Sequence, residues 1–222
     1  DLRHLVSVGG TKGVNNFCGA YLNHGRNCRD AVIDSHPASN YFIVIGNTAE
    51  CVGQASTPKD GFISQGLNTI FEDNTVIGAL TTSLTIESYA ATGFTNTVSI
   101  NNLKCFMSGK GSSGKTANIK VSTKSASIID GINISGVETD GGMEFAVQIG
   151  AEVGSIKNVN ICDNTKLTSS TYGIYLMTSG SNTIDGINVR KNSVYGNCSA
   201  AIMLVGIAKS IIAPIITQTP NY

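Results

Sequence analysis

All three histidines of the chain, His4, His24 and His36, lie within its first 36 residues. Beyond them no side chain titrates near neutrality unless its surroundings shift it. The segment Arg3-His4-Leu5-Val6-Ser7 can be laid over Arg29-Asp30-Ala31-Val32-Ile33 at an offset of about 26 residues, which sets Arg3 near Arg29 and His4 near Asp30. Asp34 and His36 alternate along an extended run and so share a face. A cluster of this composition can hold an anionic sugar or phosphate, with His4 or His36 as general acid or base and Arg3 stabilising developing negative charge. Arg3, His4, Asp34 and His36 are therefore the catalytic candidates, with Arg29 and Asp30 as binding residues beside them. The same groups could instead satisfy one another along a coil edge.

A second acidic group is Glu138-Thr-Asp140-Gly-Gly-Met-Glu144, read as a loop between strands. Paired carboxylates are what glycoside hydrolysis uses, one as acid and one as base or nucleophile. Glu138, Asp140 and Glu144 are thus candidates for binding and, behind the histidine cluster, for catalysis. Glu152, Asp163 and Asp185 are weaker ones. Gly109-Lys-Gly-Ser-Ser-Gly-Lys115-Thr116 satisfies the phosphate-loop pattern, but that chemistry needs a helix directly after it. The next residues, Ala117-Asn-Ile119-Lys-Val121, alternate apolar and polar as a strand does. The motif reads as a Gly/Ser loop, and nucleotide binding is not expected. Tyr175, beside Ile174, is expected to face outward where it could stack on a sugar ring.

The elements that must position these groups are set by a repeat. Ile129-Asp-Gly-Ile132-Asn-Ile134, Ile156-Lys-Asn-Val159-Asn-Ile161, Ile184-Asp-Gly-Ile187-Asn-Val189 and Ile212-Ala-Pro-Ile215-Ile-Thr217 recur with a period of about 27–28 residues. A second apolar pair follows at a fixed offset: Val147/Ile149, Ile174/Leu176, Ile202/Leu204. Two strands per period in fixed register mean a coil, in which Asn133, Asn160 and Asn188 face away from the apolar side. The pairs Asp130-Gly131, Lys157-Asn158 and Asp185-Gly186 interrupt the alternation and bend the chain. Stacking puts like on like about 4.8 Å apart, the spacing of hydrogen-bonded parallel strands. No coil covers its own apolar face, so the stack is the folding unit.

Further back, Ile100-Asn-Asn-Leu103-Lys-Cys105 is aligned with the Ile129 repeat and puts Cys105 in the column of Ile134. Ile119/Val121 precede Val147/Ile149. Leu67-Asn-Thr-Ile70 with Leu84/Ile86 adds another coil if Glu87 to Ser99 holds a longer loop. The expected fold is all-β, a single-stranded, right-handed parallel β-helix running through residues 1–222 as one domain. The chain starts without a visible cap for an open strand edge, so residues are expected to precede Asp1 and the chain to be the C-terminal part of something larger.

Composition narrows the partners. The 222 residues include 25 glycines and no tryptophan, only 14% are charged, and the net charge is zero. A surface made polar by Asn, Ser and Thr suits sugars, and the basic footprint of nucleic-acid binding is missing. No apolar run reaches membrane length, so no membrane insertion is expected. The six cysteines show neither CxxC nor Cys/His ligand spacing, so no metal and no cofactor is expected. They could be thiols or bridges such as Cys18 to Cys28.

Coils of this length, with an I-x-x-[IV]-N-[IV] strand and Gly/Asn corners, resemble the right-handed parallel β-helix of the pectate-lyase-like superfamily. The Asn/Ser/Thr-rich, Trp-free character, with an Arg-His segment followed by Asp-Ser-His, resembles bacteriophage tailspike and appendage proteins within it. That resemblance implies a homotrimer on the phage tail of the virion. It would work with other phage tail proteins at the bacterial cell surface, where it binds a surface polysaccharide (capsule, O-antigen or teichoic acid) and cleaves it as a lyase or glycoside hydrolase. The alternative is a non-catalytic adhesin or a structural shaft; the superfamily holds both, and fold does not give chemistry.

Overall fold

A computed structural model describes residues 4–8, 15–28, 30–37, 39–51, 60–89, 95–108, 116–196, 198–206, 208–212 and 216–219. It is an all-β parallel solenoid with no helix among the described residues. Each coil contributes one strand to each of three walls. The first wall is an eight-stranded sheet of Val6–Val8, Ala31–Ser35, Asp60–Ser64, Thr82–Ser88, Ala117–Thr123, Phe145–Ala151, Tyr172–Thr178 and Ala200–Val205. The second is also eight-stranded and includes Ser39–Ile45, Leu67–Glu72, Thr95–Asn101, Ile128–Ser135, Ser155–Cys162 and Ile184–Arg190. The third is built from short strands such as Thr75–Ile77 and Glu138–Gly141, in sheets of five and three strands. All pairings are parallel.

The aliphatic columns hold. Ile129 pairs with Ile156 and Ile156 with Ile184; Ile132, Val159 and Ile187 form the next column. Ile119, Val147, Ile174 and Ile202 do the same in the first wall. Ile129, Ile132, Ile156 and Val159 are fully buried, and their side chains fill a continuous dry interior. β-Branched residues suit these positions because their stiff side chains pack well on a pleated surface. Toward the N-terminal coils the interior is filled by rings: Phe71 lies 6.2 Å from Phe42 and 5.9 Å from Phe62.

The corner dipeptides have a backbone cause. Gly131, Asn158 and Gly186 stack in the second wall with φ of +97°, +53° and +68°, a left-handed kink repeated in three successive coils. A second left-handed column ends that wall at Asp73, Asn102, Gly136, Asp163 and Lys191. Directly after it the chain turns inward, and Asn47, Asn74, Asn164 and Asn192 are buried there. Asn47 Oδ1 accepts from the Asn23 amide at 2.9 Å, and Asn74 Oδ1 from the Asn47 amide at 2.9 Å. This interior ladder satisfies corner backbone groups that would otherwise be buried unpaired. Outside, Asn133, Asn160 and Asn188 form the expected solvent-side ladder.

Four sequence expectations are corrected. The coils have a third strand, whose inward side chain is Ala49, Val76, Cys105, Thr139, Leu167 or Val194 in six of them, too little to produce a period. Val98 and Ile100, not Leu103 and Cys105, pair with Ile132 and Ile134, and Cys105 pairs with Val76 and Thr139 in the third wall. It is a buried side chain all the same. Near Leu67, Thr69 and Phe71 point inward while Ile70 is only partly buried. At the C-terminal end Ile184 pairs with Ala208 and Ile187 with Ile211, which displaces the expected Ile212/Ile215 column; Ile216–Thr219 belongs to the third wall instead. The last three mismatches come from changes in coil length, which an alignment of constant period cannot follow.

Candidate functional site

Residues on the outer face of the first wall stack as regularly as those inside. Asp34, Ile63, Thr85, Lys120, Gln148 and Tyr175 form one outward row across successive strands. At about 4.8 Å per strand the row is about 24 Å long. Strand alternation makes this inevitable: Ile33, Leu84, Ile119, Val147 and Ile174 go in, so their successors go out.

The histidine cluster stands at one end of that row. His36 Nε2 lies 3.2 Å and His4 Nε2 3.8 Å from Asp34 Oδ2. Ser7 Oγ is 3.4 Å from the same His36 nitrogen. The pairing of Val6 with Ile33 is one residue out from the alignment that set His4 over Asp30. His4 Nδ1 instead meets the Ala31 carbonyl at 3.2 Å. Burial raises the Asp34 carboxyl above its usual range, against the pull of His36 and His4, with Asp30 adding to the rise. Arg3 and Arg29 lie outside the described residues. His24 stands apart on the third wall, 3.3 Å from Glu50, which Arg26 also holds at 2.7 Å.

Next to this cluster the same face opens into a groove of about 370 Å³. Asp30, Asp60, Gln65, Thr85, Glu87 and Lys120 are among its lining residues. Asp60 is the group whose chemistry stands out. Its carboxyl is pushed up to about 6, chiefly by desolvation, while Thr85 and Lys120 oppose the rise and Glu87 adds to it. Thr85 Oγ1 donates to Asp60 Oδ2 at 3.1 Å. Glu87 sits between cations: Lys120 Nζ is 3.8 Å and Lys124 Nζ 3.7 Å from its Oε1, and Lys124 also holds Glu152 at 2.5 Å.

Sequence reasoning missed Asp60, Thr85, Glu87 and Lys120. Three of them carried a signal, because Thr85, Glu87 and Lys120 are the outward members of strands whose inward members were recognised. Asp60 carried none, since it opens the strand Asp60–Ser64, whose adjacent Phe62 and Ile63 show no alternation.

The remaining candidates disperse. Glu138 and Asp140 belong to the strand Glu138–Gly141 rather than to a loop. Glu138 lines a separate concavity of about 430 Å³ with Asp73, Asn102 and Lys104. Asp140 is exposed, and Glu144 precedes the first-wall strand that begins at Phe145. Tyr175 faces outward as expected, but its ring is 7% exposed, stacked 4.7 Å from Phe145 and 5.6 Å from Tyr172. Gly109 to Lys115 lie outside the described residues, and Ala117–Thr123 is a strand, so the helix a phosphate loop needs is not there. Cys18 carries a thiol, which leaves a Cys18–Cys28 bridge unmade. Among the described residues no His, Cys, Asp and Glu side chains gather as a metal site, and no helix is long and apolar enough to cross a membrane.

Comparison of the chain with protein-family models, with curated proteins and with solved structures returned no match.

Proposed function

We propose that the protein binds a bacterial surface polysaccharide along the outer face of its first wall and hydrolyses it in the groove. The observation that carries this reading is Asp60, a desolvated carboxyl with a pKa pushed up to about 6 in an open groove beside a second, ion-paired carboxylate, Glu87. A desolvated carboxyl near one held by ammonium groups is an arrangement that glycoside hydrolysis can use. Protonated Asp60 gives its proton to the glycosidic oxygen as the bond to the anomeric carbon breaks. Glu87 takes a proton from the water that adds to that carbon, so one water is consumed per bond cleaved. The row from Asp34 to Tyr175 would hold the extended chain, and a repetitive wall suits a repetitive ligand. The resemblance of coil length and surface to tailspike proteins supports a setting on a phage tail, as a homotrimer with other tail proteins.

The test is incubation with bacterial wall and capsule polymers, then assays for new reducing ends and for absorbance near 232 nm. Reducing ends without that absorbance, lost in Asp60→Asn and Glu87→Gln, support the reading. A product absorbing there means elimination, and bound but intact polymer means an adhesin. Cleavage that survives Asp60→Asn but is lost in His36→Ala moves the chemistry to the adjoining histidine cluster.

A further inference from the structure

We infer that the groove accepts a non-acidic glycan, uncharged or amino-bearing, and discriminates against polymers that carry carboxylate or phosphate groups. The inference rests on the glycan-binding reading above and names its substrate class.

Charge gives the first reason. Among the described residues, Asp60 and Glu87 line the groove with one ammonium, that of Lys120. Lys120 is 3.8 Å from Glu87, and Lys124 is shared between Glu87 and Glu152. An anionic ligand would have to draw these ammonium groups away from their carboxylates or lie against Asp60. No arginine among the described residues lines the groove, so the planar fork that grips carboxylate and phosphate is not offered there. A second anion near Asp60 would also push its carboxyl higher still.

Hydrogen bonding gives the second reason. Gln65, Thr82 and Thr85 line the groove with amide and hydroxyl groups, which pair with the hydroxyl and amino groups of a sugar.

The experiment measures binding of fluorescent oligosaccharides of equal length with neutral, amino-bearing and uronate backbones to full-length protein carrying Glu87→Gln to stop turnover. Because Glu87→Gln also removes a negative charge, Asp60→Asn is measured in parallel. In low salt both variants should bind the neutral and amino-bearing chains at least tenfold more tightly than the uronate chain, and the amino-bearing preference should shrink in 0.5 M salt. Adding Gln65→Leu should weaken neutral-chain binding at least fivefold without lowering the melting temperature. A uronate chain that binds as tightly as the neutral one overturns this inference and leaves the glycan-binding reading standing. No binding by any of the three overturns both. Unchanged affinity in Gln65→Leu removes the hydrogen-bonding half of the argument.

Discussion

Replacing Asp60 by Asn should make the protein more stable at neutral pH and inactive. The carboxyl has a reference value of 3.8 and is pushed up to about 6 in the folded chain. Each unit of difference corresponds to about 1.36 kcal/mol, so ionised Asp60 costs the folded state up to about 3 kcal/mol at pH 7.5. The sign comes from proton counting. Between about pH 4 and 6 the folded state holds a proton that the unfolded state has released, so stability falls as pH rises through that window. It is greatest below the unfolded value and fully lost above the folded one. Asn has the same shape and still accepts the Thr85 hydroxyl, but it has no charge to desolvate. Denaturant unfolding of both proteins at pH 4 and pH 7.5 reads the effect. The curves should nearly coincide at pH 4 and separate by about 3 kcal/mol in favour of the variant at pH 7.5. In a thermal scan that separation is about 6–12 °C for a domain of this size. Activity of the wild type should fall along a limb near pH 6 as the acid loses its proton, and Asp60→Asn should show no turnover at any pH. Parallel stability profiles, or a variant less stable at pH 7.5, would mean that Asp60 is well solvated and has no reason to act as an acid.

Other positions test the scaffold. Asn47→Ala removes donors to the Ala20 carbonyl at 2.8 Å and to Asn74, and strands the Asn23 amide, so unfolding free energy should drop by about 3 kcal/mol in denaturant titration. A drop below 1 kcal/mol would reduce the interior ladder to decoration. Gly136 has φ +64° and an added Cβ would lie 2.2 Å from Asn102 Oδ1, whereas Gly180 has φ +61° and open space. Gly180→Ala should therefore cost about 1 kcal/mol and Gly136→Ala clearly more, measured side by side. The Cys105 thiol, fully buried and pushed up to about 12 by desolvation, should stay unmodified by a thiol reagent at pH 8 until the chain is unfolded. Modification of native Cys105 as fast as of partly exposed Cys18 would contradict its burial.

Much of the candidate site was legible only in part. That Asp34 and His36 share a face is a consequence of strand alternation, and their contact bears this out. The repeat alignment sets His4 near Asp30; the register found is one residue further on, and His4 reaches Asp34 at 3.8 Å. Glu138, Asp140 and Glu144 were grouped because they are close in sequence. In a coil that closeness spreads them over two walls, since the chain turns a corner between Gly141 and Phe145. Asp60, Thr85 and Lys120 are far apart in sequence and meet only because one coil separates each from the next.

The sequence alone determined the parallel coil and the columns of Ile129, Ile156 and Ile184, because aliphatic side chains spaced one turn apart must cover one another to leave water. Its short-range pattern also determined the corners, where Gly and Asn are the residues that take left-handed φ without strain. The tertiary structure decided the register of coils of unequal length, the third wall and the desolvation of Asp60. Those depend on how many residues each turn consumes before the next strand begins. That quantity is set by packing across the coil and is not written in any local run of residues.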